Sequence, residues 1–357
     1  MSATNIIRPE IQALAAYHVQ NAAGMVKLDA MENPFAFPAD LRAGLAEALA
    51  NASLNRYPSA GAEELKASIR AAIKIPAELD VLLGNGSDEI IQLIALACAK
   101  PDAALLSVEP AFVMFNMIAT FCRLRYVGVP LRADFSLDVD ALIVAIKREK
   151  PAIFFIAYPN NPTGNLFERA GVLAAIEAAN EYGGLVVIDE AYFAFAAESF
   201  LDEIAPFPNV VLMRTVSKLG LAGIRLGILI GRRDWLNEFD KLRLPYNINA
   251  LTQAAGHFAM RHYDALLAQT AVLRLERARV NGALAQMPGI EVFPSEANFV
   301  LVRVPDAGKT FASLLSRRIL VKNTSKSHPL LADTLRITIG TPDENNALIH
   351  ALHAMNH

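Results

Sequence analysis

Between about residue 80 and residue 230, short unbroken apolar runs alternate with stretches whose apolar positions recur every three to four residues. The runs at 80–83, 104–108, 152–158, 185–188, 210–213 and 226–230 have strand length, and several stop at Gly84, Pro110 or Pro159. The intervening stretches predict helices. One spans 87–100, with Ser87 as its N-cap, Asp88 and Glu89 in its first turn and Pro101 as its stop. Others span 137–148 and 170–182, the latter ending at Gly183-Gly184. Strands without polar alternation, separated by helices, predict an α/β fold whose mostly parallel sheet is covered on both faces.

The pattern changes near Pro245. Residues 250–286 read as one long helix, followed by strands at 290–293 and 299–304, a helix near 310–317, a strand at 335–339 and a closing helix at 344–355. That is an α+β arrangement. The first 40 or so residues lack regular periodicity and read as an arm that packs elsewhere. The expected division is a large domain, 40–245, and a smaller C-terminal domain, 246–357, joined by the arm, 1–39.

Composition narrows the function classes. The 357 residues carry 33 basic and 36 acidic side chains, a net charge of −3, so nothing favours nucleic acid or an anionic membrane as partner. Apolar residues make up 54%, which suits a large core or surface hidden in an oligomer. Cys98 and Cys122 sit in apolar stretches and read as reduced core residues of a cytoplasmic protein, with no metal site implied. The start has neither the basic nor the apolar region of a signal peptide, and no apolar run approaches the ~20 residues of a membrane span.

Four segments at predicted strand ends carry candidate chemistry, and in open parallel sheets ligands bind beyond those ends. Gly84-Asn-Gly-Ser-Asp-Glu89 leads into a helix whose first N–H groups could hold a phosphate, although such turns commonly bind nothing. Pro159-Asn-Asn-Pro-Thr-Gly164 places Asn161 between two prolines, either as a preorganised hydrogen-bonding group or in a plain loop. Asp189-Glu-Ala-Tyr192 puts a carboxylate on a greasy strand, which calls for a cationic partner or, equally, marks a helix N-cap. Arg214-Thr-Val-Ser-Lys218, followed by Gly-Leu-Ala-Gly-Ile-Arg225, offers an amine for a Schiff base and a serine and arginine for a phosphate. Each segment is weak alone. Phosphate donors, an amide, a carboxylate with a tyrosine, and an amine, in that order, fit one carbonyl cofactor bearing a phosphate and a basic ring.

This constellation resembles the aspartate-aminotransferase superfamily of pyridoxal-phosphate enzymes, fold type I, over essentially the whole chain. Within it the chain is similar to the histidinol-phosphate aminotransferases. The resemblance rests on Ile7-Arg-Pro-Glu-Ile-Gln-Ala-Leu14 with Tyr17, Leu28-Asp-Ala-Met-Glu-Asn-Pro34, Arg56-Tyr-Pro58 and Leu244-Pro-Tyr-Asn247. Ser295-Glu-Ala-Asn-Phe299 and Leu335-Arg-Ile-Thr-Ile-Gly-Thr341 add to it.

The resemblance implies pyridoxal 5′-phosphate as cofactor. Lys218 would carry it and shuttle the proton, Asp189 would pair with the ring nitrogen, and Asn161 and Tyr192 would bond the ring oxygen. Gly86, Ser87, Asp88, Ser217 and Arg225 would hold its phosphate, and Phe112 would stack on the ring. Tyr57 would reach the phosphate of a neighbouring subunit, implying a homodimer. Arg336 would take the carboxylate of glutamate, with Tyr17, Asn33 and Lys322 around the distal anion. The implied reaction exchanges an amino group between L-histidinol phosphate and 2-oxoglutarate, giving imidazole acetol phosphate and L-glutamate, in histidine biosynthesis.

Three positions depart from the family pattern. The loop from Lys218 to Arg225 is one residue short, Phe112 replaces a common tyrosine, and Lys322 replaces a common arginine. An aromatic or broad-range aminotransferase, or an O-phosphothreonine decarboxylase, would share most of these residues. A binding protein that kept the fold without turnover is a further reading. A nicotinamide dehydrogenase would need a G-x-G-x-x-G turn that the first strand lacks.

Overall fold

The computed structural model describes residues 6–16 and 20–355. Its strands are β1 (Val26–Leu28), β2 (Asp80–Asn85), β3 (Ala104–Glu109), β4 (Arg125–Pro130), β5 (Ile153–Ala157) and β6 (Leu185–Asp189), then β7 (Val210–Thr215) and β8 (Leu226–Gly231), followed by β9 (Glu291–Val292), β10 (Phe299–Arg303), β11 (Ile319–Asn323) and β12 (Thr334–Thr338). They form two sheets. The larger has the order β2-β8-β7-β6-β5-β3-β4, and the smaller β1-β11-β12-β10-β9. In the larger sheet only β8 runs against the others, so the carboxyl ends of β2, β3, β5, β6 and β7 open on one side.

The unbroken apolar runs have a direct structural cause. Along β5, Phe154 and Ile156 join a core on one face while Ile153 and Phe155 join a second core on the other, all of them fully buried. Helices Glu63–Ala72, Val139–Glu149 and Arg169–Asn180 cover the first face; Ser87–Cys98, Val113–Phe121 and Arg233–Asp240 cover the second. A strand sandwiched this way has no solvated face on which to place polar residues. Each such side chain contributes about 1.5–3 kcal/mol by leaving water. The smaller sheet packs one face, with Leu335 and Ile337, against Leu273, Val280, Leu284 and Leu348 of the long C-terminal helices.

Several sequence expectations need correction. Gly86, not Ser87, is the N-cap of the helix Ser87–Cys98; Ser87 is already its first helical residue. The expected helix over 250–286 is two, Ala250–Arg261 and Tyr263–Ala285, broken at His262. The first packs on the helices at 42–50 and 63–72, the second runs under the smaller sheet, and two such packing directions require a bend that periodicity does not encode. Strands β4 and β11 were not anticipated, because partly exposed positions interrupt their apolar pattern. The arm is not wholly irregular: its β1 pairs in parallel with β11, Val26 opposite Ile319. Cys98 and Cys122 are both free.

Candidate active site

The strand ends of the larger sheet converge on a cavity of about 250 Å³, walled by Ser87, Asp88, Phe112, Asn161, Asp189, Tyr192, Ser217, Lys218 and Arg225. Residues 30–32 of the arm close it from the other side. Four segments distant in sequence thus meet because their strands are neighbours in one sheet and stop at one edge.

Asp189 ends β6 and is 5% exposed. Its side chain accepts from Ala191 N–H at 3.0 Å, and turns rather than a helix follow, which rules out the helix-cap alternative. Burial pushes its carboxyl up to about 7, with Asp88 and Glu190 adding repulsion and Ala191 N–H opposing. Glu190, the next residue, is fully buried and ion-paired. Arg214 of β7 grips its Oε2 through Nε at 3.0 Å and Nη2 at 2.8 Å, Ser199 Oγ donates to both its oxygens, and Phe200 N–H completes the shell. This buried pair ties the turn after β6 to β7, the strand that leads to Lys218.

Lys218 lies in a 3₁₀ turn after β7. Its Nζ sits 5.9 Å from the Tyr192 ring centre and 3.5 Å from Ala30 O. Burial, and then the nearby Arg336 guanidinium, lower its ammonium to about 8. A half-buried amine of that kind is partly neutral near physiological pH, as a nucleophile or proton acceptor must be.

Asn161 is buried between two groups. Its amide donates to Tyr192 Oη at 3.2 Å, and its carbonyl accepts from Arg336 Nη1 at 2.6 Å. Tyr192 is held edge-on by Phe299. Arg336 also donates to Asp29 O at 3.0 Å, so the outward position of this β12 residue faces the arm and the loop after β5 and not bulk solvent.

The other end of the cavity is a cradle. Gly86 has φ +81°, and a Cβ there would lie 2.5 Å from Arg225 Nη2. A Cβ on Gly227 would meet the Gly86 carbonyl at 2.7 Å and Ser87 N at 2.8 Å. Backbone leaves room only for a hydrogen at Gly227, the positive φ favours glycine at 86, and the space they leave brings the helix N–H groups, Arg225 and Ser217 together. Arg225 stands in the left-handed region at φ +50°, with its guanidinium 3.7 Å from Asp88 Oδ2. Asp88 Oδ1 is buried without a hydrogen-bond partner. This set fits a cofactor with a phosphate at the cradle, a basic ring nitrogen at Asp189 and a carbonyl at Lys218.

Other sequence candidates fall outside the cavity wall. Asn33 donates to Leu219 O at 3.3 Å and Gln269 Oε1 at 3.1 Å, tying the arm to the turn that carries Lys218. Lys322 is exposed and directly opposite Arg336 in the β11–β12 register. Tyr57 is 80% exposed and stacked on Tyr246 at 4.5 Å. Tyr17 lies outside the described residues. Sequence reasoning passed over Glu32, which lines the cavity; the signal was at hand, since Glu32 lies in the same Leu28–Pro34 segment as Asn33. It also passed over the Glu190–Arg214 pair, although both residues lie inside the motifs it singled out.

Known proteins share this architecture. A chain from Sinorhizobium meliloti, described as histidinol-phosphate aminotransferase in complex with pyridoxal-5′-phosphate, superposes with a TM-score of 0.83 at 24% identity, covering 99% of each chain. Histidinol-phosphate aminotransferase 1 of Burkholderia lata is 54% identical over 348 residues, 98% of this chain and 97% of the relative. Histidinol-phosphate aminotransferase of Chromobacterium violaceum is 53% identical over 352 residues, 99% of this chain and 98% of the relative. The family model for aminotransferase class I and II matches residues 23–352. With the amine, carboxylate and cradle on one cavity and the match running nearly end to end, the chain belongs to the class I and II aminotransferases.

Proposed function

We propose that this protein is a pyridoxal-phosphate-dependent histidinol-phosphate aminotransferase. It exchanges the amino group between L-histidinol phosphate and 2-oxoglutarate on one side and imidazole acetol phosphate and L-glutamate on the other, in histidine biosynthesis. The observation that carries the reading is the meeting of Lys218, Asp189, Asn161 and the Gly86–Arg225 cradle on one cavity. The substrate follows from relatives of that name at 53% and 54% identity over nearly the whole chain.

When bound, the cofactor supplies a ring that takes up the electron pair left at the substrate Cα. The chain supplies the rest. Lys218 Nζ would hold the cofactor and, once displaced, take the Cα proton and return it. Asp189 would stay ionised against a protonated ring nitrogen, which offsets its burial. Asn161 and Tyr192 would bond the ring oxygen, and Phe112 would cover the ring face. The backbone of Gly86, Ser87 and Asp88, with Ser217 and Arg225, would bind the phosphate.

Arg336 would orient the α-carboxylate of glutamate. Lys322 and Tyr17 would meet the distal anion, with Asn33 bracing that wall. Lys322 offers a point charge in place of an arginine fork. Tyr57 would serve the partner's cofactor phosphate in a homodimer. Its stacked, exposed position beside Tyr246, together with Leu54 and Leu244, each 72% exposed, supports that reading. The large domain would span 40–245, with 1–39 and 246–357 forming the smaller one. Among the described residues no helix is long and apolar enough to cross a membrane; a cytoplasmic site of action suits the biosynthetic role.

The test is spectroscopic. The purified protein loaded with cofactor is mixed with L-histidinol phosphate, then with 2-oxoglutarate. A visible band that shifts to the amine form and then returns supports the reading, and Lys218→Ala removes the reaction while the fold survives. A band that answers phenylalanine or O-phosphothreonine and ignores histidinol phosphate replaces the substrate. A Lys218→Ala variant that retains near-normal transamination overturns that residue's role.

A further inference from the structure

Three carboxylates face the cavity, and two have duties in the reading above. Asp189 lies at the ring-nitrogen end and Asp88 in the phosphate cradle beside Arg225. The third, Glu32, comes from the arm and is 48% exposed at its side chain. It forms an ion pair with Lys27 Nζ, which also lies 3.9 Å from Asp29 Oδ1.

The backbone that presents Glu32 is pinned on both sides. Met31 N–H donates to Thr338 Oγ1 at 2.9 Å, and Asn298 Nδ2 donates to Met31 O at 2.9 Å. Asn33 is held by Leu219 and Gln269, and Arg336 grips Asp29 O. Met31 itself sits at φ +52°, a left-handed conformation that a methionine adopts at a cost. The bend sets Glu32 in the cavity wall, near enough to Lys218 for its charge to stabilise the ammonium.

A carboxylate there is a liability toward both substrates if they bring anions alone. Glutamate and histidinol phosphate each present anions, which a like charge repels. One feature separates the two: the imidazole ring of histidinol phosphate carries an N–H donor, and glutamate has no counterpart. Lys27 tempers the repulsion toward glutamate and fixes the carboxylate for the ring.

We propose that Glu32 is a specificity-determining residue whose carboxylate accepts the N–H of the substrate imidazole, with Lys27 as its positioning partner. This rests on the histidinol-phosphate reading and deepens it. It also predicts discrimination against phenylalanine, whose ring would cover Glu32 and leave the carboxylate without a donor.

The experiment compares the wild-type holoenzyme with Glu32→Ala and Glu32→Gln. For each, kcat/KM is measured on histidinol phosphate, glutamate and phenylalanine, and binding of histidinol phosphate is titrated by the change in absorbance. Glu32→Ala is expected to lose about 10- to 100-fold on histidinol phosphate, in KM and in the titrated affinity, and to change by less than about 3-fold on glutamate. Glu32→Gln, whose amide oxygen still accepts, falls between, and phenylalanine gains in the alanine variant. Equal losses on histidinol phosphate and glutamate, or no loss on histidinol phosphate, overturn the proposal while leaving the enzyme's assignment intact. A wild-type protein inert to histidinol phosphate and active on another amino acid removes the substrate reading and this inference with it.

Discussion

Arg336 Nη1 donates to Asn161 Oδ1 across 2.6 Å, joining β12 of the smaller sheet to the loop after β5 of the larger one. The same asparagine donates to Tyr192 Oη, so a residue proposed to bind substrate and two proposed to bind the cofactor ring form one hydrogen-bonded row. A substrate carboxylate that draws on Arg336 would therefore be felt at the ring.

Replacing Arg336 tests that row. Arg336→Ala is expected to lower kcat/KM for glutamate by about 30-fold or more, the usual cost of removing one partner of a desolvated, charge-assisted contact. Arg336→Lys should not recover it, because an ammonium cannot serve Asn161, Asp29 O and a carboxylate in one plane. In the cofactor-free protein the alanine variant should also raise the pKa of Lys218 from about 8, since Arg336 is its second depressing influence. The pH dependence of amine labelling at Lys218 checks this.

Asp189 predicts a stability that falls with pH. Its folded carboxyl titrates near 7, above the ordinary 3.8, so between those values the folded cofactor-free protein holds a proton that the unfolded chain has released. Stability from this group therefore declines as pH rises from about 4 to about 7. Asp189→Asn should remove the decline and stabilise the cofactor-free protein at pH 7, with a ceiling of about 4 kcal/mol. The same variant should lose transamination. Denaturant melts at pH 5 and pH 7, run on both proteins, measure the effect.

Gly86→Ala should damage the cradle. The new methyl meets Arg225 at 2.5 Å, and φ +81° is strained for any residue with a Cβ. A loss of about 1–3 kcal/mol in stability is expected, with weaker cofactor binding, read by thermal melting and by titration of the apoprotein.

Arg214→Met should be the most damaging of these changes to the fold. It leaves Glu190, which is 0% exposed, as a buried charge whose two guanidinium contacts are gone. The expected cost is about 3–5 kcal/mol in denaturant unfolding. Restoring neutrality with Glu190→Gln in the same chain should recover part of it.

Much of the larger unit was legible because its strands are buried on both faces. Residues 185–188 and 210–213 leave no other reading than core strand, and the motifs that follow them, Asp189 and Lys218, therefore had to emerge at strand ends. The elements that were missed had weaker local signals. Strand β11 carries exposed Lys322 and half-buried Asn323, and β4 begins at an exposed arginine, so neither shows an unbroken run. The break at His262 comes from packing against two different layers, which no local periodicity records.

What the chain determined by itself was the alternation of buried strands and amphipathic helices, and the identity of the amine, carboxylate, amide and glycines at the ends of those strands. These are local matters: apolar period, turn chemistry and side-chain type. Tertiary structure alone decided which groups share an environment. It set Arg336 against Asn161, gave Glu190 its arginine and left Asp189 without one, placed Glu32 in the cavity wall, and left Lys322 and Tyr57 at the surface. Those outcomes depend on sheet order, which brings Arg214 to Glu190, and on contacts between distant segments, as between Asn161 and Arg336, 175 residues apart. The desolvation that shifts Asp189 and Lys218 arises only once such segments close over them.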